Sequence, residues 1–389
     1  MIISPILPRI GQELAISDAV LGTLVSAYAS MVGIFAIVAG PISDRIGRRR
    51  ILLLGSGGMT VALALHGLAT SYVSFLLVRL VAGIAGGVLS GAAVSYIGDF
   101  FPYERRGWAT GWVMSGSAFG QIFGIPLGIV LAGRFGVAAP FHVFAVTMSL
   151  TWLLVFLRVP QPDVRRSTER LSVAGALKNY MEMLARPEIA WAAFAFLLMF
   201  LGLSLFVVYL PTWLERDLGV GPGFIATLFL VGGIANVLTG PQAGRLSDRI
   251  GRRRIILVAC AGLSVVMAIT TWVVRAPWIA YPMFFLTMVL LAMRISPFSA
   301  LLTALVDDDR RGSLMSLTVA LGQVGFALGG ALSGPIFTSA GYRANTLFAA
   351  LSVLGMGLIV WFRVPEPSMR GTVLAEVVPP LAGGDTSEL

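Results

Sequence analysis

Eleven apolar blocks follow one another along the 389 residues, at about 20–40, 51–71, 73–98, 107–133, 138–158, 189–211, 223–243, 254–275, 277–303, 313–338 and 342–363. Each is long enough, as a helix, to cross a hydrocarbon core about 30 Å thick. Strands of an open sheet would leave backbone groups unsatisfied in lipid, so the blocks are predicted to be helices. Apolar residues make up 57% of the chain and charged residues 12%, against about 25% charged in an average soluble domain. A soluble protein could not hide that much apolar surface. The expected fold class is therefore all-α and polytopic. The 45 glycines and 20 prolines suit membrane helices better than soluble ones.

The start of the chain is short. Met1–Leu7 is apolar and is ended by Pro8 and Arg9. It cannot span a bilayer, and it lacks the basic segment and cleavage site of a secretory signal. It reads as the far end of a first helix whose beginning lies upstream, which makes twelve helices in all; the alternative is an authentic eleven-helix chain. Cys260 is the only cysteine, so no internal disulfide is possible.

The net charge of +9 does not point to nucleic acid, because the arginines sit in short loops between apolar blocks. The loops near 44–50, 99–107, 158–188, 245–254 and 307–312, with the tail, hold 21 of the 28 basic residues. The opposite loops hold five, and Arg79 and Arg294 lie inside blocks. Positive loops stay cytoplasmic, so this asymmetry places the C-terminus in the cytoplasm of a multi-pass protein of the cell inner (plasma) membrane. The hydrophilic stretch 159–188 divides the chain into bundles at 1–158 and 189–364. Within it, Val173–Leu184 has the pattern of an amphipathic surface helix. The polar, Gly/Pro-rich tail 365–389 is expected to be disordered.

The two bundles are copies of one unit. Residues 40–50 read GPISDRIGRRR and residues 244–254 read GRLSDRIGRRR, an offset of 204. Glu104-Arg105-Arg106-Gly107 is matched by Asp309-Arg310-Arg311-Gly312 at an offset of 205, as Gly120 is by Gly325 and Gly124 by Gly329. Parallel repeats of this kind occur in transporters, with the substrate site between the halves.

The loop pattern G-x3-D-R-x-G-R-R, met by Gly40, Asp44, Arg45, Gly47, Arg48 and Arg49 and again by Gly244, Asp248, Arg249, Gly251, Arg252 and Arg253, resembles the hallmark loop of the major facilitator superfamily. The resemblance covers the chain apart from the start of a first helix. It implies two six-helix bundles that work by alternating access. It also implies a cytoplasmic gate, in which Asp44 addresses the start of the helix near Gly312-Ser313 and Asp248 the start near Gly107. A carboxylate at a helix N-terminus gains about 0.3–1 kcal/mol when exposed and up to about 2 when partly buried. Arg48 is expected to pair with Asp99. Such contacts form only with that side closed and so bias one state over the other.

Inside the blocks, charge is scarce. Arg79 opens the run Arg79-Leu80-Val81-Ala82-Gly83, which resembles the family's R-x-x-q-G pattern with Ala82 in place of the glutamine. An arginine at such depth costs about 2.5–3.5 kcal/mol on insertion scales, which marks Arg79 and Arg294 as candidates for the substrate or proton path. Arg294 is expected to face a central cavity. Gly116, Gly120, Gly124 and Gly128 recur every four residues with Pro126 among them, a face suited to close helix packing. In the family a Gly/Pro-rich form of this helix marks exporters, whose Gly-Pro pair is Gly124-Ile125-Pro126 here. Tyr28, Trp112, Phe119, Tyr209 and Phe298 are possible cavity-lining aromatics. His66 and His142 fall near outer helix ends. No acidic residue lies in the middle of a block.

No nucleophile–base pair, metal-ligand cluster or nucleotide-binding loop is present, so an enzyme, a cofactor and a metal are not expected. The leading expectation is proton-driven efflux of drugs or small amphipathic metabolites. The second is proton-coupled uptake of a small, anionic metabolite. The expected partners are a small-molecule substrate, protons and the lipid bilayer, with no nucleic acid, and the chain is expected to act as a monomer.

Overall fold

The computed structural model describes residues 3–101, 103–161, 173–306 and 311–365. Every regular element among them is helical. The first half comprises α1 (Ile3–Glu13), α2 (Asp18–Ile46), α3 (Arg48–His66), α4 (Tyr72–Phe100), α5 (Tyr103–Phe119), a π-helical turn (Gly120–Gly124), α6 (Ile125–Phe135) and α7 (Ala138–Arg158). A helix α8 spans Val173–Leu184, where the sequence has its amphipathic pattern. The second half comprises α9 (Pro187–Val207), α10 (Leu210–Leu218), α11 (Pro222–Ile250), α12 (Arg252–Val273), α13 (Ala280–Thr303) and α14 (Arg311–Arg363). The tail beyond 365 and residues 162–172 lie outside the described residues.

Nine helical stretches among the described residues are long and apolar enough to cross a membrane. One of them, Leu314–Arg363, contains two sequence blocks. It breaks at Gly341, whose φ of 72° lies in the left-handed region that glycine tolerates and side chains do not. The 19-residue α3 is less apolar, because three arginines and several small polar residues dilute it. Local signals set several helix starts. Ser71 and Ser74 form a reciprocal capping box at α4. Pro187 and Pro222 stand in the first turns of α9 and α11, where a missing N–H costs nothing.

Burial sorts the helices. The apolar window of the α9–α10 stretch is 67% buried and that of α7 only 17%. The first is thus a central helix and the second a peripheral one. Large apolar side chains such as Leu68, Trp278 and Phe362 stand exposed on the perimeter, as lipid-facing groups do in a multi-pass protein.

The duplication is visible in backbone and side chains. Gly47 has φ 105° and ψ 138°, and Gly251 has φ 107° and ψ 132°. The same positive-φ turn therefore links α2 to α3 and α11 to α12. The arginines that follow also match. Arg49 donates to the Phe156 carbonyl at 2.6 Å and lies over its ring at 5.6 Å. Arg253 donates to the Trp361 carbonyl and lies over that ring at 5.9 Å. Each arginine thus satisfies an end carbonyl of the last helix in its half, a need every helix C-terminus has.

Candidate functional site

The halves meet along α2 and α14. At the end opposite the Gly47 and Gly251 turns, Tyr209 donates to the Asp18 carbonyl and accepts from the Gly22 amide at 3.0 Å. Arg216 forms a two-armed pair with the Asp18 carboxylate. Of the ion pairs among the described residues, this one joins the two halves. Further in, Ser26 donates to the Ala327 carbonyl at 2.5 Å. A Cβ on Gly330 would lie 2.8 Å from Ser26 Oγ, and one on Gly33 would lie 3.2 Å from the Ala320 carbonyl. The interface is therefore closed by backbone-to-backbone approach at small residues.

Below this seal lies a cavity of about 240 Å³. The first half contributes Ser4, Gln121 and Ile125, and the second half a wall that includes Phe200, Phe229, Phe284 and Phe326. No charged side chain occurs in its described lining. Its polar feature is an amide pair in which Asn236 Nδ2 donates to Gln121 Oε1 at 3.0 Å. Gly232 and Gly233 let α11 come close. A Cβ on Gly233 would sit 3.2 Å from the Gln121 carbonyl, and one on Gly232 would press on Phe284 and Met288. Neither this glycine pair nor the amide pair was signalled by any motif. Gln121 and Phe326 are repeat mates, 205 residues apart, and both line the cavity.

Arg79 is buried and held without a described carboxylate. Its Nε donates to the Leu24 carbonyl at 3.0 Å, and its guanidinium lies 4.3 Å from the Tyr28 ring centroid. It borders a second, smaller cavity of about 90 Å³ with Tyr28, Gln323 and Phe326. Arg294 does not face the central cavity, contrary to expectation. It is fully buried inside the second half, donating to the Met199 carbonyl at 3.3 Å and to Met356 Sδ at 3.7 Å. Its neighbours Leu291 and Ile295 line the cavity instead; Arg294 stands about 100° round the helix from Ile295, on the side turned to Met199 and Met356.

The glycine face that runs from α5 through the π-helical turn into α6 also differs from the expected close packing. No described atom lies within 4 Å of a Cβ on Gly116, Gly120 or Gly124, although Gly128 is buried. An open hollow of about 520 Å³ borders Gly120 and Gly124, and Pro126 stands at the start of α6. The repeat mates behave otherwise, since a Cβ on Gly325 would lie 3.2 Å from Leu197 Cα and one on Gly329 2.8 Å from the Leu201 carbonyl. Of the candidate cavity aromatics, Tyr28 lines the smaller cavity, Tyr209 serves the interface, Phe298 is fully buried, and Trp112 and Phe119 are exposed. His66 stacks on Phe141 at 4.3 Å and bonds the Ala62 carbonyl. It is a packed core histidine.

At the turn-bearing end, Arg252 donates to Asp248 at 3.4 Å and to the Ala300 carbonyl at 3.1 Å. Asp248 and Arg249 are exposed, and Gly244 approaches Ser296. The helices expected to start near Gly107 and Gly312-Ser313 start at Tyr103 and Arg311, while the surroundings of Gly40 and the side chains of Asp44, Arg45 and Asp99 lie outside the described residues, and with them the contacts expected of Asp44 and of Arg48 with Asp99.

A family model described as Major Facilitator Superfamily matches residues 1–299 and 214–382. An uncharacterized MFS-type transporter of Bacillus subtilis (strain 168), YwfA, is 27% identical over 369 residues, covering 93% of this chain and 87% of that protein. The multidrug resistance protein MdtG of Dickeya zeae (strain Ech586) is 28% identical over 354 residues, covering 88% and 85%. Among solved structures, a D-xylose-proton symporter superposes with TM-score 0.76 at 18% identity over 94% of both chains. The human organic anion transporter MFSD10 (TETRAN) superposes with TM-score 0.69 at 18% identity, over 88% of this chain and 84% of that one. These relatives are transporters, not enzymes, and with the family model matching nearly the whole length, the chain belongs to the major facilitator superfamily of multi-pass membrane transporters.

Proposed function

We propose that the chain is a secondary active transporter that exports drugs or small amphipathic metabolites in exchange for protons. The observation that carries this reading is the aromatic, uncharged cavity walled by both halves. Such a wall suits amphipathic ligands, which gain from apolar burial and need few polar contacts. Similarity to a multidrug resistance protein supports export. In this reading the arginine-rich loops and the C-terminus face the cytoplasm of the inner membrane. The Asp18–Arg216–Tyr209 seal is then the outer gate, and the structure is a state closed on the outside. Asp44 and Asp248, with their arginines, hold the inner side closed in the opposite state. Gly40 and Gly244 give the helix ends beside them room, and Asp99 pairs with Arg48. Exchange of the two closures around the cavity moves the ligand.

Uptake of a small anionic metabolite is the second reading, supported by Arg79 beside the smaller cavity. Accumulation of a dye-and-drug panel in cells lacking their own efflux pumps separates the two. Expression is expected to lower accumulation, and an uncoupler to abolish the difference. Unchanged or raised accumulation, with the protein verified in the membrane, rejects export in favour of uptake.

A further inference from the structure

The cavity wall presents one amide pair in an otherwise apolar surface, with Ser4 as its other polar side chain. The local backbone is arranged around that pair. The π-helical turn Gly120–Gly124 inserts a wider ring into the helix and changes the register of its side chains; such single turns recur at functional sites. Gly233 then brings α11 against the Gln121 and Ile122 backbone, with a virtual Cβ 3.2–3.3 Å from both. Asn236, one turn beyond Gly233, reaches Gln121 across the boundary between the halves. One amide–amide bond uses one donor group and one acceptor. It leaves the Gln121 NH₂ and the Asn236 carbonyl oxygen with capacity for a ligand.

We infer that Gln121 and Asn236 are the specificity-determining contact of the cavity, and that they select a neutral ligand of one or two rings carrying a single amide, carbonyl or hydroxyl group. The inference rests on the reading of this cavity as the transport site. A charged ligand meets no counter-charge in the described wall, and an unpaired charge in apolar surroundings is strongly disfavoured. A purely apolar ligand leaves the amide pair bonded and gains nothing from it. A ligand with a matching polar group bonds the Gln121 NH₂ or the Asn236 carbonyl oxygen and gains one buried hydrogen bond. At about 240 Å³ the cavity lies just below the range of about 300–1,000 Å³ typical of drug-sized sites, which sets the small size. The amide pair joins the two halves, so the ligand is held at the boundary between them.

Three naphthalenes of common shape test this. Binding of tritium-labelled 1-naphthamide is measured on purified protein in lipid nanodiscs, against empty nanodiscs. Unlabelled 1-methylnaphthalene and 1-naphthoate are the competitors. Saturable binding of 1-naphthamide is expected, with each competitor weaker by about tenfold, the size of one buried hydrogen bond. Gln121→Leu and Asn236→Leu are each expected to reduce 1-naphthamide binding to the level of 1-methylnaphthalene, whose own binding is kept and so reports an intact cavity. The exchanged double variant, Gln121→Asn with Asn236→Gln, is expected to regain selectivity. Equal loss of the two ligands, 1-naphthoate binding as tightly as 1-naphthamide, or no saturable 1-naphthamide binding to the wild type each overturns the inference. Proteoliposomes that move no labelled solute under a proton gradient, while this selectivity persists, count against the transport reading and leave the contact standing.

Discussion

Tyr209 and Arg216 both hold Asp18, but they do so with different strength. The Arg216 side chain is 55% exposed, and an ion pair that wet contributes about 0–1 kcal/mol. The Tyr209 hydroxyl makes two backbone bonds in a buried position, each worth about 0.5–1.5 kcal/mol. Tyr209→Phe is therefore expected to loosen this closure more than Arg216→Gln does. Spin labels at Ser17→Cys and Asp217→Cys, with Cys260→Ser, read the separation of the halves; an unchanged distance distribution in Tyr209→Phe would remove the tyrosine from the gate. Arg294 poses a different balance. Its Nε has no partner among the described residues, and no carboxylate is bonded to it there. Replacing a poorly compensated buried charge by an apolar side chain of similar volume is often neutral or stabilising, by about 1–4 kcal/mol. Arg294→Met is thus expected to keep or raise the thermal midpoint. A clear fall would mean that the guanidinium has a partner that matters to stability.

At the level of elements, the repeat predicts equivalence that packing removes. Gly325 sits against the Leu197 backbone of α9, whereas its mate Gly120 has open space. A methyl forced into the first contact costs about 1–3 kcal/mol; at the second site alanine meets no obstacle. Gly325→Ala is accordingly expected to lower the thermal midpoint of the purified protein and Gly120→Ala to leave it near the wild type. Equal effects would show that the glycine spacing alone governs both helices. The matched arginines give the opposite expectation. Arg49 and Arg253 hold the ends of α7 and α14 in the same way, so Arg49→Ala and Arg253→Ala are expected to destabilise by similar amounts, about 1 kcal/mol each, in the same melting experiment. The sequence placed both arginines in the loop motif, yet their aromatic and carbonyl partners lie 107 and 108 residues away and no local pattern announces them.

For the whole molecule, the proposed alternating-access cycle requires α2 and α14 to part at one end. A cross-link there is expected to stop transport. Ser26→Cys and Gly330→Cys place the two side chains face to face, and with Cys260→Ser the oxidised protein is expected to lose transport and the reduced protein to regain it. Full transport by the oxidised form would exclude rocking about this interface. Much of this architecture was readable from the chain. Transfer of apolar blocks into lipid and the 3.6-residue period act within a segment, so the spans, the amphipathic Val173–Leu184 and the duplicated SDRIGRRR loop needed no tertiary knowledge. The turns at Gly47 and Gly251 likewise depend on a glycine where φ is positive. What lay beyond the sequence was which face of each helix turns inward. Arg294 and its neighbour Ile295 are adjacent in the chain, yet one enters the second-half core and the other the cavity. The Gln121–Asn236 pair and the Asp18–Arg216 pair join positions 115 and 198 residues apart. Such contacts arise from the rotation and close approach of whole helices, which side-chain packing between the halves decides and no single segment encodes.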